Sequence, residues 1–404
     1  MKINTAIDKL LSDLKSEGRY KSPERVVLKY NPAQGEKGPR FFIEGQGDKE
    51  FIRTNSNDYL GLSLHPKVIN AGENAAKKLG ANAGGVRFIS GTTKYHIDLE
   101  KRLAKFHNKE AAKVFSCAYM ANLGIALAIM NQETYVLSDQ LNHNSIARAI
   151  RIAGVQKQNK GFYKHNDMES LKNLLENIPS VIKRVVIIFD GIFSMRGDYA
   201  PIFNIIKLAK EFNDKFEDGV ITIVDDSHGT AAYGNTGRGT PQIANGEDID
   251  IIVSTLGKGF GAEGGYVAAS SKIIELVRQK SDTYIYTNPI SPGGAASALT
   301  SINIVDSSEG LSLLQKTKEN ANYFREKIQE LGYEIIKGVH PIVPIMIRDT
   351  LKANKIVDFL FEKGILVVGI IYLLLEKTNQ TIYLPKLWYG VVASIIASVA
   401  VGFL

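Results

Sequence analysis

The sequence predicts an α/β protein: a large domain on a mainly parallel sheet, then a smaller C-terminal α/β domain. Three observations carry this. From about residue 55 to 295, short apolar runs alternate with helical stretches, as in a parallel sheet covered on both faces. The apolar runs lead into loops with distinctive polar residues, at 116–122, 138–144, 190–198, 225–228 and 254–258. Ligands in such sheets sit beyond the carboxyl ends of the strands. From about 300 onward helix and strand alternate again on a smaller scale.

Taken in order, residues 1–54 read as an N-terminal helix and a hairpin. Ile7, Leu10, Leu11 and Leu14 fall at helical spacing. The stretch 31–39 is rich in Pro and Gly and reads as turns. Phe41-Phe42-Ile43 and Phe51-Ile52 flank a glycine turn, which predicts two short strands. The large domain, 55–295, has expected strands at 112–115, 134–137, 184–189, 220–224 and 250–253, with helices between them such as 97–107 and 202–212. The small domain, 296–386, has a helix expected at 311–331, a strand at 342–347 and a helix at 355–363. Residues 387–404 form an apolar tail.

Composition narrows the function. The 404 residues are 44% hydrophobic and 23% charged, ordinary globular values. A lone cysteine, Cys117, excludes an internal disulfide framework and fits a reducing, cytoplasmic compartment. The start, Met1-Lys2-Ile3-Asn4-Thr5, has no apolar signal core. Net charge is +7, yet no basic run or aromatic-basic interleave points to nucleic acid. A phosphate-rich small ligand fits that charge better. No cluster of metal-ligand residues is visible.

The chemistry centres on Lys258. It follows the apolar run Ile251-Ile252-Val253 and stands among Gly257, Gly259 and Gly261. A lysine at the end of a buried strand loses its proton easily and forms Schiff bases with carbonyls. Pyridoxal 5′-phosphate (PLP) uses such a lysine and also needs a carboxylate at its pyridine nitrogen. Asp225, in Val224-Asp225-Asp226-Ser227-His228-Gly229, offers one, although an Asp there also suits a helix cap. His228 is placed to donate to the phenolic oxygen, and His143 to stack on the ring. Cys117, Ala118 and Tyr119 open a helix whose N–H groups suit a phosphate. Thr255 offers that phosphate a hydroxyl, and Ser194 reaches toward the ring edge.

The chain resembles the α-oxoamine synthases, PLP enzymes of fold type I. The segments that carry the resemblance are Asn57-Asp58-Tyr59-Leu60-Gly61-Leu62, Arg87-Phe88-Ile89-Ser90-Gly91-Thr92, Leu141-Asn142-His143, 190–198, 225–229, Gly237-Arg238-Gly239 and 255–261. They span roughly residues 20 to 370. The segments 86–92, 224–228 and His340-Pro341-Ile342-Val343-Pro344 look closest to glycine C-acetyltransferase (2-amino-3-ketobutyrate CoA ligase). The 57–63 segment is equally similar to 8-amino-7-oxononanoate synthase. The resemblance implies condensation of a small amino acid, glycine first, with an acyl-CoA and release of CoA. Some members then lose CO2. It assigns Lys258 as Schiff-base lysine and base, Asp225, His143 and His228 as its companions, and Asn57, Tyr59 and Arg87 as the substrate side. It also implies a homodimer, in which Thr287 and Asn288 of one subunit approach the other's phosphate.

The C-terminal part departs from the family. Members carry an Arg-Ile-Arg-like strand whose arginine grips the substrate carboxylate; here Thr381-Ile382-Tyr383 puts Tyr383 at that position. A tyrosine cannot make the two-bond fork of a guanidinium. Such a loss costs roughly 1.5–3 kcal/mol. Substrate binding through another cation, a PLP-binding homologue of weak activity, and a tail foreign to the family all remain compatible with this. The tail from Leu387 to Leu404 holds no charge. As a helix it would reach about 27 Å, just short of a bilayer core. Gly390, Ser394, Ser398 and Gly402 would form a ridge of small residues along it. A membrane anchor, as in serine palmitoyltransferase-like members, and a buried final helix are the two structural expectations for it.

Overall fold

The computed structural model describes residues 1–17, 20–35, 37–243, 248–370 and 391–396. Its strands are β1 (Val27–Asn31), β2 (Arg40–Ile43), β3 (Glu50–Arg53), β4 (Ala111–Phe115), β5 (Thr134–Asp139), β6 (Lys160–Tyr163), β7 (Arg184–Asp190), β8 (Val220–Asp225), β9 (Ile251–Thr255), β10 (Gly265–Ala269), β11 (Ile342–Met346), β12 (Ile365–Leu366), β13 (Gly369–Ile370) and β14 (Val391–Ile396). The helices of the first half are α1 (Lys2–Ser16), α2 (Pro66–Leu79), α3 (Lys94–Phe106), α4 (Ala118–Ile129), α5 (Asn144–Ile152) and α6 (Met168–Glu176). Those of the second half are α7 (Ile202–Phe212), α8 (Thr240–Ile243), α9 (Ser271–Lys280), α10 (Asp282–Ile285), α11 (Pro292–Val305), α12 (Ser308–Glu330) and α13 (Thr350–Glu362).

The central sheet has seven strands in the order β4-β10-β9-β8-β7-β5-β6. β10 pairs antiparallel with β4 and β9, and the other pairings are parallel. Side chains alternate across the sheet, as the two-residue period of a strand demands. In β7, Val186 and Ile188 join Ile125 and Ile129 of α4, Ile146 of α5 and Val277 of α9 in one cluster. Val185, Ile187 and Phe189 join Leu171 and Leu175 of α6 and Ile202, Ile205 and Leu208 of α7 in another. Each such burial contributes about 1.5–3 kcal/mol. The expected α/β class with a large, mainly parallel sheet is therefore the observed one.

β10 is the strand that composition hides. Gly265-Tyr266-Val267-Ala268-Ala269 is buried throughout, yet it has little β-branched character. Gly265 has a steric cause: a Cβ there would collide with the backbone of Cys117 and Ala118 at the start of α4.

The packing runs across the two expected boundaries at 54/55 and 295/296. Position 296 falls inside α11, whose Ala295, Ala298 and Ile302 pack on Leu99 and Leu103 of α3 and Val68 of α2. The N-terminal hairpin is not separate from the small domain either. β12 adds parallel to β3, giving the sheet β1-β2-β3-β12. Phe51 packs on Phe361 of α13 with centroids 5.0 Å apart.

Residues 391–396 form β14, which lies between β11 and β13 and pairs antiparallel with both. A membrane-spanning or buried final helix over 387–404 therefore does not hold at these positions. Val391-Val392 and Ile395-Ile396 are β-branched pairs, and such residues favour strands over helices. Among the described residues no helix is long and apolar enough to cross a membrane.

Candidate active site

Asp190 and Asp225 end neighbouring parallel strands and stand in register. Both are buried. Burial raises the Asp190 carboxyl well above the usual range, and the Asp225 charge raises it further. Asp225 is held from two sides: Oδ2 accepts from Asn122 Nδ2 at 2.6 Å, and Oδ1 accepts from the Ser227 N–H at 3.1 Å. Asn122 is fully buried on α4 and also donates to Ser145 Oγ at 2.9 Å. Ser145 Oγ in turn lies 2.7 Å from His143 Nδ1. A continuous polar chain thus links His143, Ser145, Asn122 and Asp225.

His143 is the N-cap of α5. Its backbone N–H donates to Asp190 Oδ2 at 2.8 Å, and the residue is exposed. Burial lowers its pKa, while Asp225 works in the other direction and Lys258 adds to the lowering. Those mutual effects bring His143, Asp225, Asp190 and Lys258 into one electrostatic field.

Lys258 lies in the β9–β10 loop. Leu256 and Phe260 on either side are fully buried. Gly261 has φ +58°, and a Cβ there would collide with the Ser63 backbone, so only glycine suits the turn. Burial lowers the Lys258 pKa; Asp225 and Asp190 oppose this. Its Nζ sits 2.7 Å from His228 Nε2, and His228 Nδ1 sits 2.6 Å from the Tyr59 hydroxyl. Burial raises the Tyr59 pKa well above the ordinary value and lowers that of His228 well below it. Both are therefore neutral. Tyr59 donates to Nδ1, and the remaining imidazole N–H at Nε2 faces the Lys258 amine. His340, just before β11, closes the group: its Nε2–H donates to the His228 carbonyl at 2.7 Å and its Nδ1 accepts from the Ile342 N–H.

The remaining expected residues divide. Cys117 is the N-cap of α4 and makes no side-chain cap bond, and Ala118 and Tyr119 are the helix's first residues. Ser194 is half-buried in the loop after β7. Asn57 Oδ1 is buried with no protein partner. Thr287 is half-buried and Asn288 exposed after α10. Thr255 Oγ1 is engaged locally, donating to Gly264 O and accepting from the Gly257 N–H, both at 3.1 Å. Arg87 is committed elsewhere. Its Nη1 donates to Glu100 Oε1 at 2.9 Å and its Nε to Thr92 Oγ1 at 3.1 Å, with the side chain buried. Tyr383 lies outside the described residues.

Sequence reasoning passed over Asn122, Asp226 and His340. Asn122 was detectable as an amide on an otherwise apolar helix. Asp226 is fully buried, with Thr240 Oγ1 donating at 2.6 Å and Thr230 Oγ1 at 3.0 Å. Cβ atoms on Gly191, Gly229 and Gly239 would all strike its carboxylate. Only the folded chain shows those three loops meeting on one side chain.

The family profile "Aminotransferase class I and II" matches residues 49–380. The chain belongs to this family. It is 35% identical to the 8-amino-7-oxononanoate synthase of Thermoanaerobacter pseudethanolicus, over 93% of this chain and 90% of that one. It is also 35% identical to the mitochondrial 2-amino-3-ketobutyrate coenzyme A ligase of Bos taurus, over 93% and 85%. A solved serine palmitoyltransferase from S. paucimobilis with bound PLP–myriocin superposes with a TM-score of 0.81 at 26% identity, over 96% and 90%. The chain is a PLP-dependent α-oxoamine synthase of fold type I, an acyl-transferring enzyme. This synthase has room in its hydrogen-bond pattern for the cofactor. Asn57 Oδ1, Asn122 Oδ1 and Ser227 Oγ are buried without a protein partner, and each such vacancy costs about 1–3 kcal/mol. Asn122 and Ser227 both bond Asp225, and Asn57 stands two residues before Tyr59, which bonds His228; a polar ligand at Lys258 and Asp225 fits these open acceptors.

Proposed function

We propose that the enzyme condenses a small amino acid, glycine first, with an acyl-CoA: the amino acid's α-carbon gives up a proton and bonds to the acyl carbon as the thioester C–S bond breaks, so CoA leaves and the product is an α-amino ketone that still carries the amino acid's carboxylate. One observation carries this: a lysine amine shifted toward neutrality by burial, 2.7 Å from His228 Nε2 and in the field of Asp225 and Asp190. PLP bound through Lys258 supplies the electron sink that makes the α-proton of the amino acid removable. Lys258 takes that proton as general base, a task its lowered pKa suits. Asp225, fixed by Asn122 and the Ser227 N–H, holds a proton on the pyridine nitrogen. His143, His228 and Ser194 would be the side chains that hold the cofactor's ring. The α4 N-terminus at Cys117, Ala118 and Tyr119 takes the phosphate, with Thr255 beside it. Asn57 and Tyr59 bound the amino-acid and acyl side.

The enzyme acts as a homodimer in which Thr287 and Asn288 complete the partner's phosphate site. Phe88 and Ile89, 62% and 73% exposed, and Tyr286, 75% exposed, support this. Tyr286 directly precedes Thr287, and Phe88 and Ile89 follow Arg87, whose guanidinium lies 5.5 Å from the Tyr284 ring centroid. Large apolar groups exposed there fit burial against a second copy. Equal identity to a ligase and to an 8-amino-7-oxononanoate synthase supports a second reading in which CO2 is also lost.

The test is the visible absorption spectrum of the purified enzyme, titrated with small amino acids and then acyl-CoAs, with Lys258→Ala alongside. A cofactor band that answers glycine and then acyl-CoA supports the condensation. Carboxyl-labelled amino acid, with the product's ketone reduced by borohydride immediately after a single turnover, separates the two outcomes: label kept in the reduced product means no decarboxylation by the enzyme, and label already lost as CO2 favours the second reading. A bound-cofactor band that ignores every amino acid overturns both and favours the weakly active homologue, with Tyr383 in place of the arginine.

A further inference from the structure

His165 has no part in the site described so far. It follows β6, and its two nitrogens address carboxylates from two different loops. Nδ1 lies 3.1 Å from Asp139 Oδ1, and Nε2 lies 3.1 Å from Asp198 Oδ2. Phe193 meets the ring edge-on with centroids 4.4 Å apart. The Asp139 side chain is 1% exposed and that of His165 12%. Asp139 also accepts from the Leu141 and Asn166 N–H groups, and Asp198 from Arg196 Nε at 2.7 Å. Tyr163, fully buried, completes the titratable surroundings through its interaction with Asp139. Only the imidazolium donates to both carboxylates at once. Burial opposes that charge, but the bonds to Asp139 and Asp198 outweigh it and raise the His165 pKa to about 9.

The two loops are those of the active site. Asp139 begins the stretch that ends in His143. Asp198 closes the loop that begins at Asp190 and carries Ser194, with the Phe193 N–H donating to the Asp198 carbonyl. At their inner ends the loops are stitched by Asn142 Oδ1, which accepts from the Asp190 N–H, and by the His143 N–H on Asp190 Oδ2. At their outer ends His165 is the charged bridge, beside Asn166, whose N–H donates to Asp139 Oδ2, whose Nδ2 donates to the Tyr199 carbonyl at 3.2 Å and whose Nδ2 lies 3.3 Å from His165 Nε2.

We propose that His165 is a positioning residue whose imidazolium clamps the His143 loop to the Ser194 loop and so fixes His143 and Asp190 against the cofactor. This rests on the PLP reading of the site. Without the cation, Asp139 and Asp198 would keep their local partners, the Leu141 and Asn166 N–H groups and Arg196, but no charge would join them, and their mutual repulsion would favour a wider gap.

The experiment compares holoenzymes of wild type, His165→Gln and Asp198→Asn by visible circular dichroism of the bound cofactor and by kcat and KM. The expected result for His165→Gln is a changed cofactor band and a kcat lower by about 10- to 100-fold, the cost of small misplacements, with KM within about threefold. Asp198→Asn moves both readouts in the same direction and decides the matter if His165→Gln does not fold. His165→Lys, which keeps a cation, recovers part of the loss. An unchanged band and kcat in the variants, with only the melting temperature lowered, overturns the proposal and leaves His165 a plain structural residue. If wild type holds cofactor but turns over no amino acid, the proposed reaction fails, and the dichroism comparison still decides the role of His165.

Discussion

Arg87 gives the sharpest test, because its expected role and its observed surroundings differ. Glu100 accepts from Arg87 Nη1 at 2.9 Å, Lys113 Nζ at 3.0 Å and the Val114 N–H at 3.1 Å. The three side chains are 3%, 7% and 13% exposed for Arg87, Glu100 and Lys113. Removing one partner of a buried pair costs roughly 3–5 kcal/mol, because the other charge is stranded. Glu100→Gln strands two cations and should cost about 3–4 kcal/mol. Arg87→Met leaves Glu100 with Lys113 and the Val114 N–H, so about 2–3 kcal/mol is expected. The double variant should lose less than the sum, by about 1–3 kcal/mol, since the pair acts as a unit. Urea unfolding midpoints at constant slope measure the cycle, and KM for the amino acid is read alongside. The reasoning fails if Arg87→Met unfolds within about 0.5 kcal/mol of wild type while KM rises tenfold or more. Arg87 would then reach substrate rather than Glu100.

Other perturbations follow from the same geometry. Asn122→Leu removes a 2.6 Å bond to Asp225 and should weaken cofactor retention by about ten- to a hundredfold, measured by absorbance after dialysis. Gly239→Ala places a methyl against the Asp226 carboxylate at φ +83° and should cost more than about 2 kcal/mol, seen as a lower melting temperature. Burial drives Asp226 up to about 7 against its bonds from Thr240 and Thr230. A folded pKa above the unfolded value gives stability that is full below about pH 4 and lost as pH rises through about 7. The stability advantage of wild type over Asp226→Asn should shrink between pH 4 and pH 8, on the order of 2–4 kcal/mol, in urea unfolding at the two pH values. For His165 the folded pKa is also raised. The clamp is fully present below about pH 6.5 and lost as pH passes through about 9, so wild-type stability should fall there while that of His165→Gln stays flat.

Much of the fold was legible because its signals are local. The runs that became β5, β7, β8 and β9 are apolar and bounded by polar loops, and those loops carry Asp190, Asp225 and Lys258. A buried parallel strand must be apolar along its length, and ligand groups must stand beyond its carboxyl end. The axis of the site was readable for that reason. β10 was not, because Gly265 answers to the close approach of α4, a contact that sequence spacing does not encode.

Apolar periodicity and local motifs were enough for the α/β class, for the strands that matter and for placing Lys258, Asp225, His143 and His228 at strand ends. Only the tertiary structure decided what each polar group bonds to. It gave Arg87 to Glu100, Thr255 to its own turn, Asn122 to Asp225 and His165 to two carboxylates from different loops. It also joined β3 to β12 and put residues 391–396 into a strand. Periodicity records which face of an element is buried, whereas hydrogen-bond partners far apart in the chain meet only when the elements pack. Within that packing, burial and neighbouring charge set the Lys258 amine and the Asp190 carboxyl away from their ordinary pKa values.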